Sequence, residues 1–120
     1  MPETPDHLRR GQLAEAKACE HLQQHGLKLI KKNFSCRLGE LDLVMTQDRE
    51  LVFVEVRYRS NPNFGDGLES ITPAKVKRII RAAEMFLLQY PKYQNWNCRF
   101  DVVSINGENT LIWTRDAFTT

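Results

Sequence analysis

The chain has 120 residues, 42% hydrophobic and 27% charged, with a net charge of +2, enough for one domain with one core and the balance of an ordinary soluble globular protein. No apolar run approaches the roughly 18 residues that span a bilayer, and the start at Met1 to Asp6 has no apolar stretch behind a basic end, so neither a membrane segment nor a secretory signal is indicated and a cytoplasmic location is expected. Three widely spaced cysteines, Cys19, Cys36 and Cys98, form no Cys-x-x-Cys pair, which argues against a disulfide framework or zinc knuckle and predicts reduced, mostly buried thiols.

No repeat or linker divides the chain, so a single domain spans 1–120, with about the first five residues frayed. The first element is a helix from Asp6 to His25, stopped by Gly26. Its apolar stripe is Ala14, Ala18, Cys19 and Leu22. Glu15 falls on that stripe, which sets a carboxylate inward. Glu20 shares a side with Lys17, Gln23 and Gln24 and reads as solvated.

A strand follows at Leu27 to Phe34, and Leu38-Gly39 marks a turn. Glu40 to Thr46 and Leu51 to Arg59 both alternate and are rich in β-branched or apolar residues, so they read as two more strands. Gln47 to Glu50 forms a four-residue hairpin loop between them. That loop sets Thr46 opposite Leu51. One face then pairs Met45 with Val52, Leu43 with Val54 and Leu41 with Val56. The other pairs Val44 with Phe53, Asp42 with Glu55 and Glu40 with Arg57. A one-residue slip would set apolar against polar residues, so the register is self-consistent.

Ser60 to Ser70 carries Pro62, Gly65, Asp66 and Gly67 and reads as a mobile loop. Thr72-Pro73 is an N-cap followed by proline at the first helical position. The helix runs to about Tyr90, with an apolar stripe of Val76, Ile79, Ile80, Ala83, Leu87 and Tyr90, and with Lys75, Lys77, Arg78 and Arg81 on the opposite side. Strands at Arg99 to Ile105 and Thr110 to Thr114 join through Asn106-Gly107. Strand, helix, strand predicts a right-handed parallel crossover. The order α-β-β-β-α-β-β describes an α/β sandwich around a mixed sheet.

Two carboxylates facing each other across strands repel, and one pKa should rise unless a proton, a cation or a metal intervenes. Mg²⁺ suits such a pair, because it takes one or two carboxylates and completes its shell with water and phosphate oxygens. A solvated charge ladder of Asp42, Glu55, Arg57 and Glu40 is the plainer alternative from spacing alone. The central character of Phe53, Val54 and Val56, and a crossover helix covering one face, favour the metal pair.

Asp42 followed thirteen residues later by Glu55-Val56-Arg57 resembles the motif of the PD-(D/E)xK nuclease superfamily. More closely, the chain resembles the YraN family of small uncharacterised bacterial proteins. The matching stretches are Ala14 to Ala16, Gly39 to Val44, Val52 to Arg57, Phe64-Gly65, Thr72 to Lys75 and Arg99 to Val103. The resemblance implies a restriction-endonuclease-like three-layer sandwich, similar to Holliday-junction resolvases. It also implies a metal-dependent nuclease using Mg²⁺ or Mn²⁺ on DNA, with branched DNA among its substrates.

By carry-over, Asp42 and Glu55 are metal ligands, and Glu15 is the third carboxylate, binding a metal or its water. The superfamily usually has lysine where this chain has Arg57. Arginine stays protonated and cannot act as a base, but it can stabilise phosphorane charge, with Lys75 as a substitute cation. Arg59, Lys77, Arg78 and Arg81 are candidates for phosphate contact, although a solvated helix face is the commoner role for such residues. A two-fold homodimer would suit a branched substrate. The rival expectation is a non-catalytic nucleic-acid-binding module on a degenerate nuclease fold. A third reading is a small scaffold protein with no DNA affinity. His21 and His25, four apart on a helix, lack an evident third zinc ligand and read as an exposed polar face. Phe34, Trp96 and Trp113 read as packing aromatics.

Overall fold

The computed structural model describes residues 6–59 and 71–119. The expected loop at Ser60 to Ser70, the Phe64-Gly65 match and the first five residues lie outside the described residues.

Helix α1 (Asp6–Gln24) ends one residue before the expected stop. Gly26, at φ 92°, turns the chain. The amides of His25 and Leu27 both donate to the Leu22 carbonyl, at 3.0 and 3.1 Å, so the orphan carbonyls of the last turn are satisfied locally. Strands β1 (Lys28–Cys36), β2 (Gly39–Gln47) and β3 (Glu50–Arg59) follow. Helix α2 (Pro73–Gln89) starts as its cap predicts, the Thr72 Oγ1 accepting from the Lys75 amide at 3.1 Å. A 3-10 turn at Pro91–Tyr93, not anticipated, leads into β4 (Asn97–Asn106), and β5 (Leu111–Phe118) closes the chain.

The five strands lie in chain order in one sheet. All neighbours are antiparallel except β3 and β4, whose parallel pairing is the expected crossover. The architecture is therefore α/β around a mixed sheet, in the order α-β-β-β-α-β-β. Strand alternation sends two cores to opposite faces. Ala14, Ala18 and Leu22 of α1 pack on Leu43, Met45, Val52 and Val54. Ile79, Ala82, Ala83 and Phe86 of α2 pack on Val44, Leu51, Phe53 and Phe100. No helix among the described residues is long and apolar enough to cross a membrane.

Four details differ from the sequence reading. The β2–β3 loop has two residues, not four. Asp48 and Arg49 adopt φ of 50° and 65°, the left-handed pair of a tight hairpin turn, and Gln47 pairs with Glu50. The register itself is as expected from Thr46↔Leu51 to Leu43↔Val54, but it stops there, short of the pairs expected for Asp42–Glu55, Leu41–Val56 and Glu40–Arg57. The buried stripe of α2 is Ile79, Ala82, Ala83 and Phe86, while Val76, Ile80, Leu87 and Tyr90 are only half-buried. Of the cysteines, Cys19 is buried, Cys36 half-buried and Cys98 exposed, all three as free thiols.

Candidate active site

The site forms where β2 and β3 part. Below Leu43↔Val54, β2 stays with β1 as far as Cys36↔Gly39, while β3 stays with β4 as far as Arg59↔Asn106. At the fork the ladder is replaced by a side chain. The Val56 amide donates to Asp42 Oδ2 at 2.8 Å. Packing against α2 holds the β2 end in place. A Cβ on Gly39 would stand 2.4 Å from the Arg78 carbonyl oxygen, so only glycine lets the strand approach the helix backbone this closely.

Asp42 and Glu55 meet here as expected. Their carboxyl groups lie within interaction range of each other across the fork. Burial, then the charge of Glu55, pushes the Asp42 carboxyl up to about 8, against the pull of its bond from Val56. Glu55 is 6% exposed and carries two cations on one oxygen: Lys75 Nζ at 3.0 Å and Arg57 Nη1 at 3.5 Å from Oε1. Lys75 therefore turns toward the sheet rather than to the solvated side of α2, where the helix pattern had set it. Glu15, half-buried on α1, lies near Asn33 and within electrostatic reach of Glu40, Glu55 and Asp42; burial raises its pKa.

Asp42, Glu55 and Lys75 open onto a cleft of about 470 Å³, whose lining does not include Glu15 or Arg57. Its floor has Asp42, Glu55 and Lys75. Its rim has Arg37, Glu40 and Arg78, with Cys36 and Leu38 from the β1–β2 turn. Lys77 and Arg81 are exposed on α2, Arg59 is half-buried at the end of β3, and none of these three lines the cleft. Arg37 and Asn33 were missed in the sequence; Arg37 sits beside the Gly39-Glu40-Leu41-Asp42 match, which was the available signal.

The donor set suits a divalent cation. Two neighbouring carboxyl groups, with Lys75 and Arg57 on Glu55 rather than between the pair, can take an ion whose shell is completed by water and phosphate oxygens. Among the described residues no three His, Cys, Asp or Glu side chains already stand as a closed ligand set. Glu15 is a neighbour of the pair in this geometry.

The other sequence candidates have packing roles. His21 and His25 lie ring against ring at 4.4 Å, tilted by 35°, and meet Trp113 edge-on. Phe34 is core, edge-on to Phe86. Trp96 packs edge-on to Tyr93. A second buried acid had gone unnoticed. Asp101 on β4, fully buried, accepts from Arg99 Nε at 3.0 Å, Trp113 Nε1 at 2.9 Å and the Asp116 amide at 3.0 Å.

A family model described as uncharacterised protein family UPF0102 matches residues 14–105, a span that contains Glu15, Asp42, Glu55, Arg57 and Lys75. Relatives named only as UPF0102 proteins match nearly end to end. One from Nitrosococcus oceani is 50% identical over 115 residues, 93% of either chain. One from Alkalilimnicola ehrlichii is 49% identical over 113 residues, 94% of this chain and 89% of the other. One from Legionella pneumophila is 46% identical over 110 residues, 91% of this chain and 93% of the other.

Proposed function

The chain belongs to the uncharacterised protein family UPF0102, the YraN family, and we propose that it is a metal-dependent endonuclease cleaving DNA phosphodiester bonds on a restriction-endonuclease-like fold. One observation carries the reading. Asp42 and Glu55 are brought together at a strand fork, with the nearest cations on Glu55 rather than between the pair, at the floor of a cleft rimmed by Arg37 and Arg78. A pair that is costly in the resting protein is what a cation site requires.

Asp42 and Glu55 would hold Mg²⁺ or Mn²⁺, which when bound supplies an acidified water and neutralises phosphate charge. Glu15 orients a water at the edge of the pair. Lys75, at 3.0 Å from Glu55, is the cation nearest the reacting centre. Arg57 keeps its proton and stabilises charge on the phosphorane. Lys75 thus fills the role left open by arginine at position 57. Arg37 and Arg78 meet the phosphates on either side of the scissile bond, with Arg59, Lys77 and Arg81 farther along the backbone. Such contacts position the strand without reading its sequence. A two-fold homodimer would present two such clefts to a branched substrate.

The test is cleavage of branched, single-stranded and duplex DNA with Mn²⁺. Activity in the wild type that disappears in Glu55→Gln supports the reading, and equal activity in the two sinks it. The second reading, a non-catalytic nucleic-acid-binding module, is favoured by the double neutralisation of Glu55 by Lys75 and Arg57 without any ion. Tight DNA binding in EDTA with no cleavage under any metal would select it.

A further inference from the structure

Glu55 carries more positive charge than one carboxylate needs. Lys75 Nζ stands 3.0 Å and Arg57 Nη1 3.5 Å from the same oxygen, Oε1, and the Glu55 side chain is only 6% exposed. With Asp42 the four groups, all ionised, carry two negative and two positive charges and balance. A divalent ion added to that set leaves two positive charges uncompensated where little water can screen them, and sets a third cation on one carboxylate. Binding the ion therefore favours the departure of a cation already there.

The two cations are not equally able to leave. Arg57 lies on β3, two residues from Glu55 and on the same face of the strand, and it does not line the cleft. Its side chain is 21% exposed. Lys75 comes from α2, lines the cleft and is 36% exposed. An ammonium on a four-carbon stem is strongly hydrated and turns without moving its backbone. That backbone is fixed at two points. The Lys75 amide donates to Thr72 Oγ1 at 3.1 Å. One turn along, the Arg78 carbonyl oxygen lies so close to Gly39 that a Cβ there would stand 2.4 Å from it. Only the Lys75 side chain has room to move, and that room is the cleft that Arg37 and Arg78 also line.

Resting on the reading of Asp42 and Glu55 as a metal centre, we infer that the Lys75 ammonium is an exchangeable occupant of that centre. It holds the Glu55 carboxylate until a divalent ion displaces it, and the displaced ammonium turns into the cleft, where a phosphate would meet it. Arg57 stays on Glu55. Ion binding and the presentation of a cation to the substrate are then one event. The exchange also sets two properties against each other: losing Lys75 strengthens metal binding and weakens the chemistry.

Two measurements test this without reference to cleavage. The first is acylation of the native chain by a limiting amine-reactive ester, with the modified lysines located by mass spectrometry. Saturating Mn²⁺ should raise labelling of Lys75 and leave that of Lys77, exposed on the same helix, unchanged. Glu55→Gln should label strongly at Lys75 with or without Mn²⁺. The second is titration calorimetry. Lys75→Met should bind Mn²⁺ about 10-fold more tightly than the wild type, the scale of one unit charge removed at close range in a hydrated cleft. Lys75→Arg, which keeps the charge, should not tighten binding. The labelling uses the unaltered chain, so it stands however a variant folds. Lys75 labelling that saturating Mn²⁺ leaves unchanged, or a folded Lys75→Met that binds Mn²⁺ no more tightly than the wild type, overturns the inference while leaving the metal centre intact. A wild type that binds Mn²⁺ but cleaves no DNA sinks only the nuclease reading. A wild type that binds no Mn²⁺ sinks the metal centre and the exchange with it.

Discussion

Two buried carboxyl centres sit in the same sheet and are built on opposite principles. Asp101 is closed. Arg99 donates to it at 3.0 Å and extends to Glu50 at 2.7 Å, and an indole N–H and a backbone amide fill its remaining acceptor sites. Asp42 and Glu55 are open. Their carboxyl groups face each other at the cleft floor, and the nearest cations, Lys75 and Arg57, both sit on Glu55 rather than between the pair. A buried charge whose hydrogen bonds are all satisfied ties strands together. One left in conflict with its neighbour holds a place for something that resolves the conflict. The closed centre is structural and the open one is the candidate site, although residue type alone does not tell them apart.

The contrast predicts opposite responses to substitution. Asp101→Ala should have the largest effect, destabilising the fold by about 3–5 kcal/mol in urea melts at pH 7, because it removes the buried acceptor shared by half-buried Arg99, the Trp113 indole and the Asp116 amide. Little or no loss would mean that the closed centre is not what ties β4 to β5. Lys75→Met should leave stability nearly unchanged and reduce Mn²⁺-dependent cleavage by about 100-fold, or ~2.7 kcal/mol of transition-state stabilisation. Lys75 would then belong to the chemistry rather than to the packing of α2. Gly39→Ala should cost about 1–3 kcal/mol, since the new methyl meets backbone of α2 and must push the two elements apart at the fork.

Asp42→Asn should act in the other direction. The folded pKa of Asp42, about 8, lies above its ordinary 3.8. Its contribution to stability is therefore full below about pH 4 and is lost as pH rises toward 8. In metal-free buffer at pH 8 the Asn variant should be more stable than the wild type, by about 1–2 kcal/mol after allowance for the half-open cleft, and the gain should vanish near pH 4. Added Mn²⁺ should reverse the order, stabilising only the wild type. An Asp42→Asn protein less stable at every pH would break the comparison, because it would make this centre structural too. The smallest effect belongs to Gln47→Ala, at the rim of the closed centre. Its contact with Arg99 is long, 3.4 Å, and about 0.5–1 kcal/mol is expected in the same melts.

Much of this was legible in residue order. Alternation from Leu43 to Met45 and from Val52 to Val54 specified the register, because a slip would have buried charge. Thr72-Pro73 and Gly26 marked helix ends through local hydrogen bonding. The hairpin loop was read too long because Gln47 and Glu50 are polar, and polarity hides a pair that lies on the ladder; the left-handed Asp48-Arg49 turn carries no glycine to signal it. The stripe of α2 was misdrawn because a twisted sheet, not an ideal helix wheel, decides which residues are covered, and it selected Ala82 and Phe86. Lys75 was set on the polar side of the helix for the same reason, although it was also named as a substitute cation for the site.

Local chemistry along the chain thus determined the strands, their pairing and the nearness of Asp42 to Glu55, since those depend on periods of two and on caps a few residues long. Only the tertiary structure decided that β2 and β3 part at that pair, that Lys75 turns down onto Glu55, and that Asp101 is satisfied while Asp42 is not. The first two depend on how closely α2 settles against Gly39, and the third on the partners that β4 and β5 bring to Asp101. These are contacts between distant segments that no short pattern encodes.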